Sequence, residues 1–104
     1  MDTIESMAER YKLLSDKSRL TILGLLKEKE LCVCDIVEIM KMSQPNVSQH
    51  MRKLKTGGLV KETKSGHWVH YSLSPDCPPY ILSALEHIPA MKVDSFTQTN
   101  QCKI

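Results

Sequence analysis

Cys32 and Cys34, one residue apart in Glu30-Leu31-Cys32-Val33-Cys34-Asp35, are the side chains of this sequence best suited to binding chemistry. Thiolates are soft ligands and select soft ions. A thiophilic ion that takes three sulfurs finds two of them in this pair. In a regular helix residues i and i+2 point about 200° apart. In a strand they share a face but stand about 6 to 7 Å apart. Neither geometry clamps one ion, so chelation is expected to distort the backbone that carries the pair. Being small buried hydrophobes is the ordinary fate of such cysteines. What lifts this pair above that reading is its place just before a helix-turn-helix pattern.

The other cysteines, Cys77 and Cys102, lie far along the chain. Neighbours in a Cys-x-Cys do not easily bridge each other, so reduced thiols fit better than a disulfide framework. Cys102 lies in a polar stretch able to fold back, and is the candidate third metal ligand beside Cys32 and Cys34. Cys77 is held between Pro75 and Pro78-Pro79, which restrict its reach, and reads as structural.

The elements that position the pair follow from periodicity. Ile4, Met7, Ala8, Tyr11 and Leu14 fall on one stripe of a helix over residues 3–14. Ser15 and Asp16 are suited to capping a second helix from Lys17 to Lys27, apolar nearly all round. A short third helix follows with Ile36, Val37, Ile39 and Met40, and Lys41-Met42-Ser43 is the turn. The fourth helix starts at the N-cap Ser43, tolerates Pro45 in its first turn, and stops at Gly57-Gly58. Val47, Met51 and Leu54 share one of its faces. The opposite face carries amides, hydroxyls and cations, the groups that read base edges and hold phosphates.

After the glycines the period changes from 3.6 to 2, which predicts two strands over residues 59–64 and 67–73, joined through Ser65-Gly66. A charged hairpin behind such a helix is a wing. A last helix over residues 80–88 follows the prolines and ends at Pro89. The apolar stripes of the first and last helices exceed what one small domain can cover, which predicts a homodimer seam. The fold class is mainly α with a small β-hairpin, in the order ααααββα. Residues 1–89 form the DNA-binding and dimerisation domain, and residues 90–104 are expected to be a flexible tail.

Charge agrees with this layout. The net charge is +2, but residues 41–70 hold six Lys/Arg against one Asp/Glu, whereas residues 1–40 hold six against eight. A basic middle third points to an anionic partner, nucleic acid being the commonest. The candidate DNA-binding residues are Ser43, Gln44, Asn46, Ser48, Gln49, His50, Arg52 and Lys53 on the helix, and Lys61, Lys64 and His67 on the wing. No apolar stretch is long enough to span a membrane, and the start of the sequence lacks a secretory pattern. The expectation is a cytoplasmic protein without a membrane partner. A Gly-rich phosphate loop and a nucleophile elbow are both missing, which weighs against an enzyme.

Three stretches carry a family resemblance: Leu14-Ser15-Asp16-Lys17-Ser18-Arg19-Leu20, Glu30-Leu31-Cys32-Val33-Cys34-Asp35, and Ser43 through Leu54. Over residues 5–90 the chain resembles the ArsR/SmtB family of bacterial metal-responsive winged helix-turn-helix repressors. The resemblance implies a homodimer on operator DNA, an imperfect palindrome, that needs no cofactor to bind. It further implies release when As(III) or Sb(III) binds the cysteine thiolates or, in a cadmium/lead branch, when Cd(II) or Pb(II) does. In one branch a third cysteine follows the second by three residues, but position 37 here is Val37. The site must then recruit a distant sulfur or accept a guest with two exchangeable positions, such as a monoalkylated trivalent arsenical. His87 lies where relatives with a seam zinc site place ligands, yet its partner at helical spacing is missing, so zinc is not expected there. A repressor that senses thiol oxidation is the reading from another class.

Overall fold

The structure, a computed structural model, describes residues 3–89. The tail expected over residues 90–104, and with it Cys102, lies outside the described residues.

Helix α1 (Ile4–Leu14) opens on Thr3, whose hydroxyl accepts the Ser6 N–H at 3.0 Å, and closes on Ser15, whose hydroxyl donates to the Lys12 carbonyl at 2.7 Å. Helix α2 (Lys17–Glu28) buries Ile22, Leu23, Leu25 and Leu26 and is the centre of the core. Asp16 stands at its N-cap but does not cap it with its side chain. The carboxylate turns instead to Arg19 and His50, 3.6 and 3.9 Å away. The local capping preference yields here to a tertiary cluster.

Leu31–Cys32 form a short strand, β1, that the sequence pattern does not announce. Two residues are too few to show a period of two. Helix α3 (Val33–Met40) follows at once and stops at Lys41, whose left-handed backbone (φ 54°) breaks the helix and turns the chain toward α4. Helix α4 (Gln44–Thr56) is capped by Ser43, whose hydroxyl accepts the Asn46 N–H at 3.3 Å. Its stripe of Val47, Met51 and Leu54 is fully buried, each side chain contributing about 1.5 to 3 kcal/mol of burial.

Strands β2 (Val60–Ser65) and β3 (Trp68–Leu73) form the expected hairpin, with Gly66 at φ 63° in its turn. The sheet has three strands, not two, in the antiparallel order β1-β3-β2. Leu31 pairs with Tyr71 and Cys32 with His70. The third strand relieves the marginal stability of an isolated hairpin. Helix α5 (Pro79–Glu86) ends two residues before the expected boundary. Lys27 Nζ donates to the carbonyls of Leu85 (3.2 Å) and Ile88 (2.8 Å), satisfying acceptors left by the end of the helix. Among the described residues no helix is long and apolar enough to cross a membrane.

Candidate thiol and nucleic-acid site

Cys32 is the last residue of β1 and the N-cap of α3. Its sulfur accepts the Asp35 N–H at 3.4 Å, and the Asp35 carboxylate accepts the Cys32 N–H at 3.4 Å. This is a capping box with sulfur in the place of a hydroxyl oxygen. Cys32 and Asp35 are both buried, whereas Cys34, at the second position of the helix, is exposed. One thiol therefore faces solvent and the other belongs to the structure that starts α3.

Both thiols line an open cleft of about 320 Å³. Its other walls are Val33 of α3, Gln44 and Ser48 of α4, and Glu62, His67, Trp68, Val69 and Tyr71 of the wing. Gln44 Nε2 donates to Ser48 Oγ at 3.1 Å across one helical turn. His67, expected at the DNA surface, is exposed and stands at this cleft. Among the described residues, no group of three or more His, Cys, Asp or Glu side chains is placed to hold a metal ion. Cys77 is buried apart from the pair. Burial pushes its thiol up, against the opposing charge of Arg10, so that it stays protonated and a poor ligand.

The residues expected to read DNA lie mostly on the outer side of α4. Gln44, Asn46, Gln49, Arg52 and Lys53 are exposed, Ser43 is exposed while capping the helix, and Ser48 is half-buried. His50 is half-buried and turned inward, with Nδ1 3.5 Å from Arg19 Nη1. Lys61 and Lys64 are exposed on β2. The wing is tied to α4 by Glu62, which accepts from Lys55 Nζ at 2.7 Å and from the Tyr71 hydroxyl at 2.9 Å. The Lys55 hydrogen bond, followed by that from Tyr71, holds the Glu62 carboxyl below the usual range. Burial first, and Glu62 second, push the Tyr71 phenol up to about 12.

Two features lie beyond the periodic signals. Lys12 of α1 and Arg19 of α2 border the same cleft as Arg52 and Lys53, so the basic surface extends past α4. Arg10 reaches from α1 to the Gly57 carbonyl at the end of α4 (3.2 Å) and to the Tyr80 hydroxyl on α5 (3.0 Å). Gly57 also admits the Leu13 side chain of α1, which a Cβ there would overlap. The reach of a long cation leaves no periodic trace in sequence, and only the charge of these residues hints at their roles.

The comparisons with known proteins bear on the family and the fold. Residues 16–62 match the family described as "Bacterial regulatory protein, arsR family". The chain is 43% identical over 77 residues to the arsenical resistance operon repressor of Escherichia coli, covering 73% of this chain and 66% of that protein. It is 44% identical to the arsenical resistance operon repressor of Staphylococcus xylosus, covering 74% of each. The chain thus spans about two thirds of the length of its Escherichia coli relative. Among solved structures, the homodimeric winged helix-turn-helix DNA-binding domain Mb0332 of Mycobacterium bovis superposes with a TM-score of 0.70. Its identity is 26%, over 80% of this chain and 74% of that one. The relatives are transcriptional regulators, not enzymes, and the fold, the helix-turn-helix match and the identities together place this chain in the ArsR family of bacterial regulatory proteins.

Proposed function

We propose that the protein is a metalloid-responsive transcriptional repressor, which binds operator DNA as a homodimer and lets go when trivalent arsenic or antimony is captured by Cys32 and Cys34. The observation that carries this reading is the double role of Cys32, whose sulfur is both half of the thiol pair and the cap of the helix that leads into α4. A metalloid bonded to that sulfur competes with the Asp35 N–H for it and disturbs the first turn of α3. Helix α3 packs against α4, so the docking angle of the reading surface changes with it. The ion favours the disturbed state and DNA the undisturbed one. Each ligand therefore weakens the other by the same factor.

The DNA side rests on the exposed amides and cations of α4, with Gln49 suited to base edges and Arg52, Lys53, Lys61 and Lys64 to phosphates. The dimer rests on the apolar side chains that α1 and α5 leave in solvent. Ile4 is 86% exposed, Tyr11 44% and Leu82 38%, and the Tyr11 and Tyr80 rings, 5.5 Å apart, join the two helices into one surface. A two-fold dimer presents two α4 helices to half-sites about 34 Å apart or a multiple of it.

The test uses reduced protein and fluorescent duplexes selected by it from a randomised pool. Arsenite or antimonite should release the duplex without an oxidant, and Cys32→Ser and Cys34→Ser should bind it yet ignore the metalloid. Release by peroxide alone, or an unchanged arsenite response in either serine variant, would overturn the reading.

A further inference from the structure

Glu62 is the one acidic residue among residues 41–70, which hold six Lys/Arg. It lies in the seam between the two parts of that basic segment. From β2 its carboxylate reaches the last turn of α4, where Oε1 accepts from Lys55 Nζ at 2.7 Å. Oε2 accepts at 2.9 Å from the hydroxyl of Tyr71, the residue directly opposite on β3. Both oxygens are thus engaged, and Ser48 and Arg52 of α4 complete the cleft around them. Lys64, two residues along β2 on the same face, adds its field and helps to keep the carboxylate ionised.

Stability is a poor account of the Lys55 half of this arrangement. The Lys55 side chain is 53% exposed, and an ion pair with one partner so open to water adds little to a fold. Its larger effect is on charge. Binding to a duplex gains about one unit of salt slope for each phosphate neutralised, whatever the sequence. Lys55 paired with Glu62 adds no such unit, and the carboxylate repels a phosphate brought up to the cleft.

We propose that Glu62 is a specificity-determining residue for DNA binding, which keeps affinity for arbitrary sequence down by holding Lys55 out of the phosphate contacts. This rests on the reading of α4 and the wing as the DNA-facing parts. On a duplex of arbitrary sequence, the gain from removing the Glu62 charge is felt in full. On the selected duplex it is partly offset, because the same carboxylate, through Lys55 and Tyr71, holds the wing at the angle to α4 that the base contacts use. Loss of the charge therefore narrows the gap in affinity between the two kinds of site.

The experiment measures the affinity of the reduced full-length chain for the selected duplex and for a shuffled duplex of the same length, by fluorescence anisotropy across a salt series. Glu62→Gln keeps an acceptor for Lys55 and Tyr71 but loses the charge. It should bind the shuffled duplex about three- to tenfold more tightly at low salt, with a slope of log affinity against log salt steeper by about 1. The gain on the selected duplex should be smaller. Adding Lys55→Gln to Glu62→Gln should return the slope to that of the parent protein, because the freed cation is then gone. Tyr71→Phe, which loosens the wing but keeps the charge, should weaken the selected duplex and leave the slope unaltered. An unchanged slope in Glu62→Gln, a double variant whose slope falls below the parent's, a steeper slope in Tyr71→Phe, or equal gains on both duplexes would overturn the proposal while leaving the DNA reading in place. A parent protein with no affinity for any duplex would overturn both together.

Discussion

The sulfur of Cys32 and the carboxylate of Asp35 close a reciprocal pair of hydrogen bonds, each 3.4 Å long, at the start of α3. The consequence is that the two cysteines are not equivalent, since Cys32 is part of the frame and Cys34 is offered to solvent.

Replacing Cys32 by serine preserves the cap, because a hydroxyl is at least as good an acceptor at that position. Cys32→Ser should therefore retain its thermal stability within about 0.5 kcal/mol while losing the metalloid response. Asp35→Ala removes the return bond and should cost about 1 kcal/mol, with weaker duplex binding in the absence of any inducer. Urea denaturation and fluorescence anisotropy on the two variants check both outcomes. Normal duplex affinity in Asp35→Ala would show that the α3 cap does not govern the reading surface.

Thiol reactivity should separate along the same lines. Among the three described cysteines, Cys34 should be alkylated first and Cys77, protonated and buried, last. Timed alkylation followed by peptide mass spectrometry reads the order. Cys77→Ala should leave the metalloid titration unchanged, and a shifted midpoint would make Cys77 a ligand.

The exposed cations of α4 should contribute to affinity without contributing to sequence choice. Arg52→Ala and Lys53→Ala should each reduce the slope of log affinity against log salt by about 1, whereas Gln49→Ala should alter which duplexes are selected. Lys12→Ala on α1 is the more discriminating case, since that residue borders the same cleft as Arg52 and Lys53. A reduced slope there would extend the footprint beyond the recognition helix.

The Glu62–Tyr71 pair should give the fold a measurable pH dependence at both ends. A carboxyl held below its ordinary value of 4.5 stabilises the fold above that pH, and the contribution is lost as pH falls through the lowered folded-state value. A phenol raised from 10.0 to about 12 stabilises the fold fully below 10, and that contribution is lost as pH rises toward 12. Tyr71→Phe should cost about 1 to 2 kcal/mol at neutral pH and remove the alkaline part of the decline. Glu62→Gln should flatten the acid part. Chemical denaturation across pH measures both, and an unaltered alkaline limb in Tyr71→Phe would contradict the assignment.

What could be read in advance was what repeats along an element. The all-round apolar character of α2, the Val47-Met51-Leu54 stripe, the Ser43 cap and the change of period at Gly57-Gly58 all report local rules that the fold obeys. What escaped was set by partners distant in sequence. Strand β1 exists because Leu31 and Cys32 meet Tyr71 and His70. Asp16 leaves its cap because His50 of α4 joins the nearby Arg19 in drawing it away. Arg10 serves α4 and α5 at once. The thiol pair was legible as a motif, but the wall of wing residues opposite it was not, because that wall depends on how β3 lies against β1.

The pairing of Cys32 with His70 joins the backbone of the trigger residue to the wing, while its sulfur starts the helix leading to α4. Cys32 is thus a fork from which α4 and the wing, the two parts proposed to face DNA, both branch. A disturbance at the fork reaches both arms, and the Lys55–Glu62 bond ties the arms to each other as well. Within one protomer, escape from DNA should then be a single event with one rate, and any grading of the response must come from how many protomers have been captured.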